Sequence, residues 1–423
     1  MSACSLGYLG YRVHPVAPIA VAVQYATPEE ADPYVRFDME AYDSIQKNYW
    51  QKGSDADMAK LFALSVQKAA SGTTTPNVSD RAGTAKMIAA ALASKSDDAK
   101  KEFALNTVIV ALYNLPPAGR NGILSNKQEQ VLRQEVSNVN PAKDLYADVG
   151  AQKGASVAEV KSAFVEKKQQ LEKATSTDAK QQLAQATYAY DVLTKDDTKT
   201  RYDTAKVEPT IFVHTLGSTL YLYISQMAPT TYDEFVATIN TAQSNRSLDS
   251  MIIDLRGNIG GALDIAPAII GLFLGQNQYT FDLYSQGDYT PVRSPVPRLD
   301  ALKRYRDIAI LTDGMTQSTS EVIASSLKRL NIAHTVGQTT RGWGTVENTF
   351  PLSSSIEAST TYALLLVHGV TLRDDNQPIE GRGVDADVNT TDPNWKSQLP
   401  TYFRSLSIIT ALQQEAKKPP LKD

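Results

Sequence analysis

The most constraining feature of the chain is a change of rhythm near Val207. Beyond it, short apolar runs alternate with helical ones. "STLYLYISQM" reads as a strand, "TYDEFVATINTA" as a helix opened by a Thr231–Glu234 capping box, and "SMIIDLR" as a buried strand. "GNIGG" is a turn and "DIAPAIIGLFLG" a helix. "DIAILTD" is the next strand and runs directly into "GMTQSTSEVIASSLK"; "HTVGQ" and "YALLLVHGVTL" are further strands. Such alternation makes βαβ units and a largely parallel sheet. Reacting groups in such sheets gather beyond the carboxyl ends of the strands, where "DLRGNIGG" and "DGMTQSTSE" both fall.

The chain before this point is helical. In 32–140, apolar residues recur at helical spacing, with a polar break at Gly53–Asp57, a loop at 71–80 and an interruption at Pro116 and Pro117. A compact unit follows at 141–205. Its first long helix carries Val160, Phe164 and Leu171 on one face; its second carries Leu183, Ala186, Tyr190 and Leu193. Two such helices pack as an antiparallel pair. The expected organisation is a tail (1–31), a helical region (32–140), the helical unit (141–205), an α/β core (206–395), and a C-terminal helix with a basic tail (396–423).

Composition narrows the function classes. Of 423 residues, 42% are hydrophobic and 21% charged, ordinary values for a globular protein. A net charge of −4 argues against nucleic acid or an anionic membrane surface as the main partner. Cys4 is the one cysteine, so no internal disulfide can form, and the four histidines are scattered without zinc-site spacing. Neither metal nor cofactor is expected. No apolar run reaches transmembrane length. The N-terminal run is broken by Arg12, Pro15 and Pro18 and lacks a basic n-region. It reads as a tail, with lipid attachment at Cys4 the lesser reading. The apolar faces of the leading helices (32–70) and of the C-terminal helix suit pairing of two chains or packing within one.

The stretch "LTDGMTQSTSEVIASSLK" sets Thr316, Ser318 and Ser320 just ahead of a helix whose apolar face is Val322, Ile323 and Leu327. Ser318 and Glu321 fit a capping box, which requires no function. The other strand-to-helix turn carries Gly257, Gly260 and Gly261, glycines that let backbone N–H groups approach a ligand. A serine, the N–H that follows it and a glycine N–H from a second loop are the parts of an acyl-transfer site with an oxyanion hole.

Four segments in order, "IIDLRGNIGGALD", "TDGMTQSTSEVIASSLK", "VGQTTRGWGTVENTFPL" and "QPIEGRGVDADV", resemble the carboxyl-terminal processing (tail-specific) serine protease family. "EAYDSIQKNYW" resembles that family's leading helix. The resemblance covers most of 208–390. It implies a crotonase-like layered α/β core and cleavage of unfolded or C-terminal protein segments in the cell envelope. It makes Ser318 the nucleophile and gives the oxyanion hole to Gly260 or Gly261 with Thr319. The unit 141–205 resembles a J domain through "DLYADVG", "ASVAEVKSAF", "YAYDVL" and "TRYD". Glu172, Lys173 and Ala174 stand where that family has His-Pro-Asp, which argues against a heat-shock chaperone partner.

Two departures stand out. The J-like unit occupies the place of the family's PDZ domain, so no tail-binding groove is visible. The family's general-base lysine is replaced by Trp343, 25 residues after Ser318, and an indole N–H cannot accept a proton. Glu347 falls where the family often has a glutamine that orients the lysine; it is the first candidate base and His368 a weaker one. Two readings stay open: a serine endopeptidase with an altered base, or an inactive protease fold that binds chains.

Overall fold

The structure is a computed structural model that describes residues 25–174 and 176–421; Cys4 and most of the tail lie outside the described residues. The helical region contains α1 (Pro33–Asn48), α2 (Asp55–Ala69), α3 (Arg81–Leu92) and α4 (Asp97–Tyr113), then β1 (Gly122–Ser125) and α5 (Asn126–Val136). Local chemistry sets their starts. Asp32 caps α1 by accepting from Tyr34 N–H, with Pro33 preset for the first turn. Ser54–Asp57 and Ser125–Gln128 close capping boxes on α2 and α5. The apolar faces of α1, α2 and α4 bury Phe37, Tyr42, Phe62 and Val108 within the chain.

The next unit contains α6 (Leu145–Val149), α7 (Val157–Glu172), α8 (Thr177–Leu193) and α9 (Asp196–Ala205). It holds a small core of its own, built on Leu145, Tyr146, Val160, Ala189, Leu193 and Tyr202. Phe164 stacks on Tyr190 with ring centroids 4.3 Å apart.

The α/β core follows with β2 (Ile211–Leu216), β3 (Thr219–Ile224), α10 (Thr231–Ala242), β4 (Ser250–Asp254), α11 (Ala266–Leu274), β5 (Tyr279–Ser285), β6 (Asp288–Arg293), β7 (Asp307–Thr312), α12 (Thr319–Arg329), β8 (His334–Gly337), β9 (Thr345–Pro351), β10 (Tyr362–Thr371) and β11 (Val388–Asn389). Helices α13 (Trp395–Tyr402) and α14 (Leu406–Glu415) end the described chain. One sheet has the order β11-β8-β7-β4-β3-β2, parallel except for the β2–β3 hairpin. Its side chains alternate with period two. Leu220, Leu222 and Ile224 face α10, α11 and α12, whereas Tyr221 and Tyr223 face α13 and α14.

Two expectations are corrected. The core is not built on one mainly parallel sheet: beside the six-stranded sheet, in which four of five pairings are parallel, stands an antiparallel one. "YALLLVHGVTL" forms β10, which pairs antiparallel with β1, β5 and β9 in a second sheet. Leu364, Leu366 and Val367 of β10 are buried against the N-terminal helices, so its apolar run looks like that of a parallel strand although its partners are antiparallel. Thr231 and Glu234 form no capping box. Thr230 is the N-cap, without a side-chain bond. Thr231 Oγ1 accepts from Ala228 N–H, and the Glu234 carboxylate turns to the N–H groups of Thr210 and Ile211 and to Arg201. Buried donors at the start of β2 compete successfully for that carboxylate.

Candidate active site

Strands β4 and β7 are neighbours, so the turns that follow them meet. Asp313 Oδ1 accepts from the N–H groups of Gly257, Met315 and Thr316. Thr316 Oγ1 donates to Leu255 O at 2.9 Å, Gln317 N–H to Asn258 O at 3.0 Å, and Thr319 Oγ1 to Gly261 O at 3.1 Å. Asn258 is fully buried; its Nδ2 donates to Ile224 O and its Oδ1 accepts from Gly260 N–H at 2.9 Å. These bonds make one body of the two turns.

That body holds Ser318 at φ 56° and ψ −126°. A non-glycine residue there stores roughly 1–3 kcal/mol of strain and persists only where its surroundings impose it. Ser318 and Glu321 form the expected capping box, in which Glu321 Oε2 accepts from Ser318 N–H at 2.8 Å. Gly260 lies against Ser318: a Cβ on Gly260 would stand 2.6 Å from Ser318 Cβ. Gly261 lies against Met227 O, 2.2 Å from where its Cβ would be. Gly260 N–H is held by Asn258. Among the described residues neither Gly261 N–H nor Thr319 N–H has an acceptor, the latter because the first N–H groups of a helix have no partner within it.

Glu321 joins this body to the loop that carries Trp343. Its buried carboxylate accepts from Ser318, Gly342 and Trp343 N–H groups and from Thr340 Oγ1. Burial pushes its carboxyl up, and these donors oppose that shift. Ser318 and Trp343 thus donate to the same Oε2. The Trp343 indole N–H donates to Glu347 Oε1 at 3.1 Å, and the Arg120 guanidinium lies 3.4 Å from the ring centroid. Arg120 also pairs with Glu380 at 3.0 Å, and Glu380 accepts from Gly344 N–H. Burial likewise pushes the Glu347 carboxyl up, against Thr345, Trp343 and Arg120. His368 is elsewhere engaged: its Nδ1 lies 3.2 Å from Asn48 O at the end of α1.

The roles of Asp313 and Asn258 were missed by sequence reasoning, although "TDGMT" carries the signal of an Asp turn. Nothing local pointed to Arg120, which approaches from the helical region. No group of three or more potential metal ligands occurs among the described residues.

Two strand-end turns locked around a strained serine at a helix start define a candidate acyl-transfer centre. Residues 218–390 match the model of Peptidase family S41. The carboxy-terminal processing protease CtpB of Bacillus subtilis (strain 168) is 24% identical over 193 residues, covering 45% of this chain and 37% of that protein. The carboxy-terminal-processing protease of Bartonella bacilliformis is 28% identical over 184 residues, covering 42% and 40%. The chain thus spans well under half the length of these curated relatives. Among solved structures, a lipoprotein from Streptococcus agalactiae aligns at 16% identity and TM-score 0.49 over 90% of this chain and 100% of that one. The photosystem II D1 C-terminal processing protease aligns at 12% identity and TM-score 0.48 over 88% and 94%.

Proposed function

We propose that the chain is a serine endopeptidase of the carboxyl-terminal processing type, acting on protein segments by acyl transfer through Ser318. The observation that carries this reading is the serine itself: strained, at the start of α12, and packed against the glycine turn at Gly260. In the proposed reaction Ser318 Oγ bonds to the scissile carbonyl carbon. The carbonyl electron pair moves to oxygen, which accepts from Gly261 and Thr319 N–H. The serine proton passes to a base and then to the leaving amine; water hydrolyses the ester. Glu347 is the proposed base; burial raises its carboxyl, which makes it a better proton acceptor than a free glutamate.

Trp343 favours a second reading, a homologue that binds chains without cutting them. Its indole stands at the lysine position, has no proton-accepting atom, and already gives its N–H to Glu347. Cleavage of an unfolded protein by the wild type and by Ser318→Ala separates the two. Slow cleavage lost in the variant supports the peptidase; no cleavage by either supports the binder.

The core layering is read as crotonase-like. The unit at 141–205 is read as a degenerate J domain serving as spacer or docking module, with Glu172, Lys173 and Ala174 in place of the chaperone-stimulating tripeptide. The proposed location is the cell envelope, a reading supported by the resemblance to carboxyl-terminal processing proteases. No helix among the described residues is long and apolar enough to cross a membrane.

A further inference from the structure

Arg120 lies outside the 218–390 segment, in the turn between α4 and β1, yet it is built into the surroundings of Glu347. Strand register explains how. Glu347 on β9 stands opposite Val367 on β10. Both backbone groups of Val367 are taken by the helical region: its N–H donates to Asn121 Oδ1 at 2.8 Å, and its carbonyl accepts from Trp50 N–H at 2.9 Å. Strand β1 then pairs with β10 two residues away, with Gly122 opposite Leu365. The backbone next to Arg120 is thereby pinned at the level of Glu347.

The guanidinium is held from two sides. One face covers the Trp343 ring, 3.4 Å from its centroid, and Nη2 donates to Glu380 Oε1 at 3.0 Å. Both contacts converge on the loop before β9, since Glu380 also accepts from Gly344 N–H and the indole N–H donates to Glu347. Arg120 Nε is buried and has no partner among the described residues. An unmet buried donor is costly, so stability alone does not account for the arginine. Its charge favours the ionised form of Glu347, against burial. The other charged or titratable groups on the elements around β9 are engaged. Glu380 is bound to Arg120, Glu129 of α5 to Arg133, and Glu321 to donors on Ser318, Thr340, Gly342 and Trp343; His368 of β10 lies beside Asn48 O. We propose that Arg120 is a positioning residue for the base: it presses the Trp343 indole against Glu347, and its charge keeps Glu347 ready to accept a proton. The proposal rests on the reading of Glu347 as the base.

The test follows Glu347 itself, in the full chain. Glutamate labelled at its side-chain carboxyl carbon is incorporated, and the NMR signal that disappears in Glu347→Gln is titrated with pH. Arg120→Met is expected to move the midpoint to higher pH, because the cation is gone. Glu380→Gln keeps an acceptor for Gly344 N–H but removes the charge that offsets Arg120, and is expected to move the midpoint to lower pH. Arg120→Lys keeps the charge and should stay nearer the wild type than Arg120→Met does. Loosened packing alone would not drive the two charge variants in opposite directions. An unmoved midpoint in Arg120→Met or in Glu380→Gln, or shifts of the same sign in both, overturns the proposal; Glu380→Gln decides it alone should Arg120→Met fail to fold. The pH–rate profile then separates the two readings. On the rising limb, kcat/KM of Arg120→Met is expected about tenfold below the wild type. If the NMR midpoint moves as expected and the kinetic limb does not follow, Glu347 is not the base and the action of Arg120 on Glu347 stands. If cleavage has the limb but neither variant moves the NMR midpoint, the peptidase reading stands and the role of Arg120 fails.

Discussion

Ser318 sits where its backbone conformation is costly, and that bears on what its neighbours do. If Glu347 takes the serine proton, it acts only when deprotonated. Its carboxyl is raised by burial, so kcat/KM should climb with pH through a midpoint above that of a free glutamate and then level off. Glu347→Gln should remove that limb and slow turnover by about 10²–10⁴-fold; a pH–rate profile of both proteins checks this. Trp343→Lys should raise activity. The new amine would stand between Arg120, whose charge favours the neutral base, and Glu347, whose carboxylate favours the ammonium. The change also removes a cation–π contact of about 0.5–2 kcal/mol, so each rate is to be read with a melting curve. At this scale the two strand-end turns that carry Ser318, Thr319, Gly260 and Gly261 were legible in the sequence, because strand ends and glycine turns are local signals. The Ser318 strain and the Arg120 contact were not legible, since both are imposed by residues remote in sequence.

At the scale of elements, the decisive structure is the pair of strand-end turns. Gly260 carries φ 89° and faces Ser318 Cβ, Gln317 O and Thr319 N at 2.6, 2.9 and 3.0 Å from a built Cβ. Gly260→Ala should displace the serine turn, and left-handed backbone adds roughly 1–2 kcal/mol for a residue with a Cβ. The expected outcome is loss of cleavage by about 10²-fold with only a modest fall in melting temperature, measured by steady-state kinetics and calorimetry. Two element-level readings failed for one reason. The Thr231–Glu234 pattern and the apolar run of β10 are local signals, and each was overridden by a tertiary partner: the Thr210 and Ile211 N–H groups in one case, the antiparallel neighbours β1, β5 and β9 in the other.

Across the whole molecule, the "DLR" segment also fastens the C-terminal helix. Arg256 pairs with the fully buried Asp254 and donates to the carbonyls of Glu415, Ala416 and Lys418 at the end of α14. Arg256→Ala should leave Asp254 buried without its cation and α14 without its cap. A cost of about 3–5 kcal/mol is expected, read as a lowered urea midpoint, with hydrogen exchange rising first in α13 and α14. That link was not legible in the sequence because it joins residues far apart in the chain. The switch from helical to alternating periodicity near Val207 was legible; the strand β1 that the helical region contributes to the second sheet was not.

The central claim is that Ser318 is a working nucleophile. The most direct measurement is labelling of the native chain with a fluorophosphonate probe, followed by mass-spectrometric mapping. A single adduct on Ser318, absent from Ser318→Ala and from heat-unfolded protein, is the predicted result. No adduct on the folded wild type, or an adduct that survives Ser318→Ala, would contradict it.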